Sequence, residues 1–483
     1  MTLNDSRILV VGAGLMGAGI AQVAAQAGHD VALFDARAGA AEAAKAKLAQ
    51  TLEGLVAKGR LAADAAQAAL ARITPVDAPA PADLVIEAIV ENLDVKRALF
   101  AELEALLPAE AVIATNTSSI SVTALARGMQ RPERLVGMHF FNPVPLMKLV
   151  EVVSGLGTAP EVAQAVFDLA QRWGKTAVHT RSTPGFIVNR IARPYYAEAL
   201  MLLQDRAAAP ELIDACLRAA GFRMGPCELM DLIGHDTNFA VTNSVFAANF
   251  FDRRFTPSLV QQELVDAGFL GRKSGRGFYR YPEGAPAVHH DEYPRPEAKR
   301  LVVHGQGVVA DRFAAAFAQA ERQPASDWVG LEADRTQIRL TDGRTAREIA
   351  AERDLRAPVI VFDLPLGAGS DLAYAKSGNV SDPVGWLAAL GFKPVEMADV
   401  PGLVVARTIA MLINEAADAV QQGVCDEAGA DSAMKLGVNY PAGPFEWLAL
   451  WGADAVVALL DRLDSYYRGE RYRVSPYLRA MPT

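Results

Sequence analysis

Apolar positions in the amino-terminal part of the chain fall into two alternating patterns. Arg7-Ile8-Leu9-Val10-Val11, Val31 to Phe34, Asp83 to Val90, Ala111 to Asn116 and Leu135 to His139 are short runs without helical period, and they read as buried strands. Between them, Ala18 to Ala27 is a helix former closed by Gly28. Asn92 is placed to cap a helix carrying Leu93, Leu99, Phe100, Leu103 and Leu107. Strands alternating with helices predict a parallel, doubly wound sheet, with a crevice beyond the carboxyl ends of its strands.

From Pro184 onward the pattern becomes helical, and it repeats. Pro184-Gly185-Phe186 recurs as Pro401-Gly402-Leu403, and Glu198 recurs as Glu415 at the same offset. After one inserted residue, Gly225-Pro226-x-Glu228 recurs as Gly443-Pro444-x-Glu446, and Gly234 as Gly452. This is a tandem copy of one helical unit. Between the copies, Tyr281 to Pro286 reads as a linker, with further prolines at Pro294 and Pro296. Leu301-Val302-Val303, a glycine turn, an alanine-rich helix and a strand within Ala357 to Leu364 then form a small α/β unit with short strands. The expected fold is α/β: a Rossmann domain over 1–183, a helical domain over 184–282, a small degenerate α/β insert over 283–383 and a second helical copy over 384–483.

Composition narrows the function. Acidic residues outnumber basic ones, 56 to 47, for a net charge of −9, which argues against nucleic acid or an anionic membrane as the main partner. Apolar residues make up 51%, enough for packed interiors. No apolar run reaches the ~18–20 residues of a membrane helix, and Met1 to Arg7 lacks a signal-type apolar region. Cys216, Cys227 and Cys425 are too few and too scattered for a disulfide framework or a four-cysteine zinc site. No metal is expected, and the expected compartment is a reducing cytoplasm.

Gly12-Ala13-Gly14-Leu15-Met16-Gly17 joins the first strand to the first helix. Gly12 permits a tight turn, Gly14 lets backbone approach a pyrophosphate, and Gly17 lets the helix sit close to the sheet. The helix start then offers the N–H groups around Leu15 and Met16 to phosphates. Asp35 ends the next strand, the context in which a glycine triplet reads as a dinucleotide fingerprint. Its carboxylate suits the ribose hydroxyls of NAD and opposes the extra phosphate of NADP, with Arg37 as a countervailing charge. Gly305-x-Gly307-x-x-Ala310 mimics a second fingerprint, but in so small a unit it reads as structural.

Among seven histidines, His139 alone ends a buried strand on the crevice side. Asn142-Pro143-Val144-Pro145 turns the chain, and Leu149-Val150-Glu151-Val152-Val153 returns as a strand. Glu151 lies in an apolar run and needs a partner, and His139 is the nearest candidate. A histidine oriented by a carboxylate takes a proton from an alcohol as hydride leaves its carbon. Glu91, Ser118 and His139 cluster at strand ends. Asn189, in an apolar helical stretch, also needs a polar partner.

Together, Gly12 to Gly17 with Asp35, Glu87 to Asn92, Asn116-Thr117-Ser118-Ser119, His139 to Pro143, Pro184 to Arg190 and Gly271 to Tyr279 resemble the L-3-hydroxyacyl-CoA dehydrogenase family, whose members oxidise the 3-hydroxyl of an acyl-CoA with NAD. The resemblance implies His139 as base, Glu151 as its orienting partner, and Ser118 and Asn189 as hydrogen-bonding groups for substrate. It implies NAD contacts from Asp35, Glu91, Lys96, Ser118, Asn142 and Lys273, and CoA contacts from Thr51 and Lys58. Long forms with a tandem tail resemble bacterial enzymes acting on 3-hydroxyadipyl-CoA in phenylacetate breakdown, with 3-hydroxybutyryl-CoA as the competing assignment. A terminal carboxylate would call for a cation such as Arg190 or Arg193. A dehydrogenase of non-CoA hydroxyacids would use a lysine base, and a non-catalytic NAD-binding relative would lack Ser118, His139 or Asn189. In the second copy Ala406 stands opposite Asn189, so that copy reads as structural; a homo-oligomer is one expectation, and the other is that this copy replaces within one chain the helical contact by which short members pair as dimers.

Overall fold

A computed structural model describes residues 2–290, 296–352, 357–378 and 384–481. Pro294 and the boundary expected at 383 lie outside the described residues. The chain divides into two compact units, one of residues 1–190 and 422–438, the other of residues 191–421 and 439–483.

The first unit holds an eight-stranded sheet: β1 (Ile8–Val11), β2 (Val31–Phe34), β3 (Ile73–Val76), β4 (Leu84–Glu87), β5 (Val112–Thr115), β6 (Leu135–Phe140), β7 (Leu149–Ser154) and β8 (Thr176–Arg181). Its order is β3-β2-β1-β4-β5-β6-β7-β8, and every pair is parallel except β6 with β7. The chain reverses direction across the sheet between β1 and β4, where a doubly wound sheet opens its ligand crevice. Strands β1, β4 and β5 are buried on both faces, as helix-covered parallel strands must be, hence their unbroken apolar runs. Asn92 caps the helix Leu93–Leu106 by accepting the N–H groups of Asp94 and Val95 at 3.0 and 3.1 Å. The helix Glu427–Gly437, from the second helical copy, belongs to this unit and packs on β7 and β8.

The second unit holds helices of both copies and a further sheet. That sheet has seven strands: β9 (Leu301–His304), β10 (Glu321–Gln323), β11 (Gly330–Ala333), β12 (Thr336–Leu340), β13 (Val359–Phe362), β14 (Asp371–Ser377) and β15 (Lys393–Glu396), in the order β10-β9-β11-β12-β13-β14-β15. It is larger than the sequence suggests, and β15 carries it past the expected limit at 383. The Pro and Glu in Lys393-Pro394-Val395-Glu396 hide this edge strand from an apolar pattern. The first helix of the second copy, Val405–Gln421, starts correspondingly later than 384.

Two glutamates and two arginines join the copies reciprocally in this unit. Glu198 of the first copy pairs with Arg471 of the second at 2.9 Å, and Glu415 of the second pairs with Arg254 of the first at 3.3 Å. All four side chains are buried.

Candidate active site

The fingerprint glycines have steric reasons to be glycine. A Cβ at Gly17 would stand 1.7 Å from the Gly12 carbonyl oxygen, and one at Gly12, whose φ is +105°, would stand 2.5 Å from that of Ala88. Gly14 has open space where a side chain would project, so a ligand's phosphates can approach the backbone there. Leu15 and Met16 open the helix Leu15–Gln26, whose first turn has no side-chain cap, leaving early N–H groups for an anion. Leu15 is 70% exposed and Val90 is 65% exposed, apolar surface suited to flat rings.

Asp35 follows β2. Its Oδ2 accepts the Ala13 N–H at 2.8 Å, and its Oδ1 accepts from the backbone and side chain of Arg37 at 3.0 and 3.1 Å. Burial works to raise its pKa, but these donors outweigh it and hold the carboxyl below the usual range. The countervailing charge is thus already paired with the acid. These features fit NAD, whose nicotinamide supplies hydride acceptance when bound.

Glu91 organises the loop after β5. Its Oε1 accepts from Thr117 Oγ1 at 2.5 Å, from Ser118 and Ser119 N–H at 3.0 and 3.1 Å, and from Ser119 Oγ at 3.0 Å. Burial again pushes upward, but these donors and the Lys96 cation keep Glu91 below the ordinary carboxylate range. Lys96 is 1% exposed and clamped between Glu87 at 2.5 Å and Glu91 at 3.2 Å. From this position Lys96 holds Glu91 from behind. The clue missed in sequence was Glu87, a second acid inside an apolar strand, which also accepts from Thr115 Oγ1 at 2.7 Å.

The base and its partner sit on the antiparallel pair. His139 on β6 lies in register with Glu151 on β7, and His139 Nδ1 meets Glu151 Oε2 at 2.5 Å. His139 is 5% exposed, and Glu151 is fully buried. The other carboxylate oxygen, Oε1, accepts the N–H groups of Ile187 and Val188, each at 3.0 Å. Those N–H groups are aimed by the turn through Gly185 and Phe186, both with positive φ, at +79° and +49°. Glu151 thus holds the imidazole with one oxygen and a chain turn with the other, a second task the sequence did not disclose. Phe141 and Phe186 wall the imidazole, with ring centroids 4.5 and 5.7 Å away. Asn116 Oδ1 accepts the Phe140 N–H at 2.8 Å, tying the β5 loop to the residue after the base.

Asn189 follows Val188 directly, in a single helical turn, Val188–Ile191, shorter than the apolar helix expected. Asn142 is exposed in the loop after β6. Thr51, in the helix Ala40–Ala57, and Lys58, which ends that helix, are both exposed and seven residues apart, on one helical face. The structure therefore brings Ser118, Glu91, His139, Glu151 and Asn189 into one unit with the glycine cradle. Lys273 belongs to the second unit, where its Nζ pairs with Asp236 at 2.5 Å. Among the described residues no group of three or more His, Cys, Asp or Glu is placed to hold a metal ion. Nor, among them, is any helix long and apolar enough to cross a membrane.

The chain is similar to known proteins over nearly its whole length. The profile described as "3-hydroxyacyl-CoA dehydrogenase, NAD binding domain" matches residues 7–183, and "3-hydroxyacyl-CoA dehydrogenase, C-terminal domain" matches 185–281 and 402–482. Residues 338–401 match "3-hydroxybutyryl-CoA dehydrogenase reduced Rossmann-fold domain". The chain is 47% identical to 3-hydroxyadipyl-CoA dehydrogenase of Escherichia coli K12, over 99% of this chain and 98% of that one. It is 41% identical to the pig mitochondrial hydroxyacyl-coenzyme A dehydrogenase, over 57% of this chain and 90% of that one. A crystal structure titled 3-hydroxybutyryl-CoA dehydrogenase from E. coli K12 superposes with a TM-score of 0.87 at 45% identity, covering 99% of this chain and 98% of the other. A doubly wound nucleotide domain, a buried histidine–carboxylate pair and full-length similarity to these enzymes lead to one statement: the chain belongs to the NAD-dependent 3-hydroxyacyl-CoA dehydrogenase family.

Proposed function

We propose that His139 is the base that takes the proton of the substrate's 3-hydroxyl while hydride passes to NAD, giving a 3-oxoacyl-CoA. One observation carries this assignment: the 2.5 Å contact between His139 Nδ1 and Glu151, a buried pair on neighbouring strands of the nucleotide-domain sheet. With Nδ1 facing the carboxylate, Nε2 is the atom left to receive the proton. Glu151 then stabilises the imidazolium as it forms. Ser118 and Asn189 are assigned to the substrate's oxygen atoms. The Glu91 network holds Ser118 in place, and Asn142 lines the cofactor side. Thr51 and Lys58 are assigned to CoA, with Lys58 suited to a phosphate.

For the acyl group the proposal is 3-hydroxyadipyl-CoA, a step of phenylacetate breakdown, in the cytoplasm. It is supported by near-complete coverage of the E. coli relative bearing that substrate's name. Steady-state kinetics with 3-hydroxyadipyl-CoA and 3-hydroxybutyryl-CoA test it. A higher kcat/KM for the dicarboxylate supports the assignment, whereas preference for the butyryl substrate transfers it to the name carried by the solved structure.

The reciprocal Glu198–Arg471 and Glu415–Arg254 pairs favour one further reading, that the second copy replaces a subunit contact within the chain. Light scattering is expected to give a monomer, and a concentration-independent dimer would overturn this.

A further inference from the structure

The segment 422–438 comes from the second helical copy, yet it packs with the first unit. It does so at places that bear on the dyad. Gln422 Oε1 accepts from Arg190 Nη1 at 2.8 Å, and Arg190 is buried, next to Asn189. The Arg181 N–H at the end of β8 donates to the Val424 carbonyl at 3.0 Å. The Cys425 thiol is pushed up to about 12, by burial first and then by negative charge that includes Glu151, with Arg190 opposing. The segment therefore lies within electrostatic reach of the dyad's carboxylate.

At the far end, Gly437 closes against the supports of the dyad. A Cβ there would stand 2.8 Å from Leu149 Cδ2, 2.9 Å from Val188 Cγ2 and 3.6 Å from Phe141 Cε1. Leu149 opens the strand that carries Glu151, Val188 donates its N–H to Glu151, and the Phe141 ring packs on His139. One backbone position of the second copy thus lies close against three of the neighbours that set the geometry of base and partner.

We infer that Gln422 and Gly437 of the second helical copy are positioning residues of the active site, so that this copy is part of the catalytic apparatus although it lacks the fingerprint, the histidine and the asparagine. The inference rests on His139 and Glu151 being the working dyad. A side chain at Gly437 must displace the side chains of both Leu149 and Val188, whose backbones hold the carboxylate of Glu151 in place. Where that displacement passes to the Leu149 or Val188 backbone, the carboxylate shifts and the imidazole shifts with it. Displacements of about 1 Å in such supports can cost up to ~10²-fold in rate.

The test uses the full-length chain. Gly437→Val is expected to lower kcat at least about tenfold, with NAD affinity unchanged and an altered pH profile of kcat/KM. Gln422→Leu should lower kcat about threefold to tenfold, and Gln422→Glu, which keeps an oxygen acceptor for Arg190, should restore it. Ala428→Val adds bulk at an exposed position of the same helix and should leave the kinetics at wild type. If Gly437→Val does not fold, Gln422→Leu against Gln422→Glu decides. Wild-type kcat and pH profile in Gly437→Val and Gln422→Leu, whatever their thermal stability, would overturn the inference. His139→Gln serves as reference: if it too turns over normally, the fault lies with the dyad assignment instead.

Discussion

Strands β6 and β7 of the first sheet and β13 and β14 of the second are built alike. In each set an antiparallel pair is flanked by parallel neighbours, β5 and β8 in one, β12 and β15 in the other. Each has a buried carboxylate that holds the N–H groups after a Pro-Gly-aromatic or Pro-Gly-Leu turn. In the first, Glu151 accepts from Ile187 and Val188; in the second, Asp363 accepts from Val404, Val405 and Ala406 at 2.9, 2.6 and 2.9 Å. The turns themselves agree, with φ of +79° and +49° at Gly185 and Phe186, and +68° and +47° at Gly402 and Leu403.

What differs is which strand supplies the acid. Asp363 directly follows β13, the counterpart of the strand that carries His139, and its N–H pairs with the Ala373 carbonyl. Ala373 on β14 stands opposite this acid, whereas on β7 Glu151 stands opposite His139. The second site keeps the clamp on the turn, and among the described residues no imidazole is paired with its carboxylate. The comparison separates two roles that coincide in Glu151: satisfying a buried turn is architectural, and orienting a base is chemistry added to the same carboxylate.

The largest effect expected from breaking this distinction is at His139. His139→Gln should lower turnover by ~10²–10⁴ while calorimetric NAD affinity stays near wild type. Asp363→Asn should leave turnover unchanged and act on stability alone. Burial pushes Asp363 up to about 6, against the opposing N–H donors of Val404, Val405, Ala406 and Leu364. A carboxyl with a folded pKa above its unfolded value stabilises the protein fully below the unfolded value and loses that contribution as pH rises through about 6. Chemical denaturation of the wild type should therefore show stability falling between roughly pH 4 and 6, by of order 2 kcal/mol from this group. The asparagine variant should lose that part of the slope. The smallest effect is at the exposed helix: Lys58→Ala should raise the KM for acyl-CoA a few-fold, for a contact worth about 1 kcal/mol, with the difference shrinking in high salt.

Much of this was legible in the sequence. The fingerprint from Gly12 to Gly17 and Asp35 are local signals, each with a steric or electrostatic cause, and strand alternation revealed His139 and Glu151 as neighbours. The second hydrogen-bonding task of Glu151 was hidden because it involves backbone N–H groups, which no residue type reports. The burial of Lys96 was hidden because it depends on Glu87, nine residues away on the preceding strand. The docking of Glu427–Gly437 was also hidden, because an amphipathic helix announces that it has a buried face and not which surface will cover it. The second sheet was underestimated because its edge strands, Glu321–Gln323 and Lys393–Glu396, are polar.

The most direct test is Glu151→Gln, followed in parallel by single-turnover NADH formation and by equilibrium unfolding. Glutamine retains an oxygen for the Ile187 and Val188 N–H groups but presents an amide donor to the imidazole, which disfavours the working tautomer. The account predicts a hydride-transfer step slowed by about 10² or more, with NAD affinity and the unfolding midpoint close to wild type. A variant that unfolds easily yet transfers hydride at the wild-type rate would contradict it, leaving Glu151 the same kind of structural clamp as Asp363.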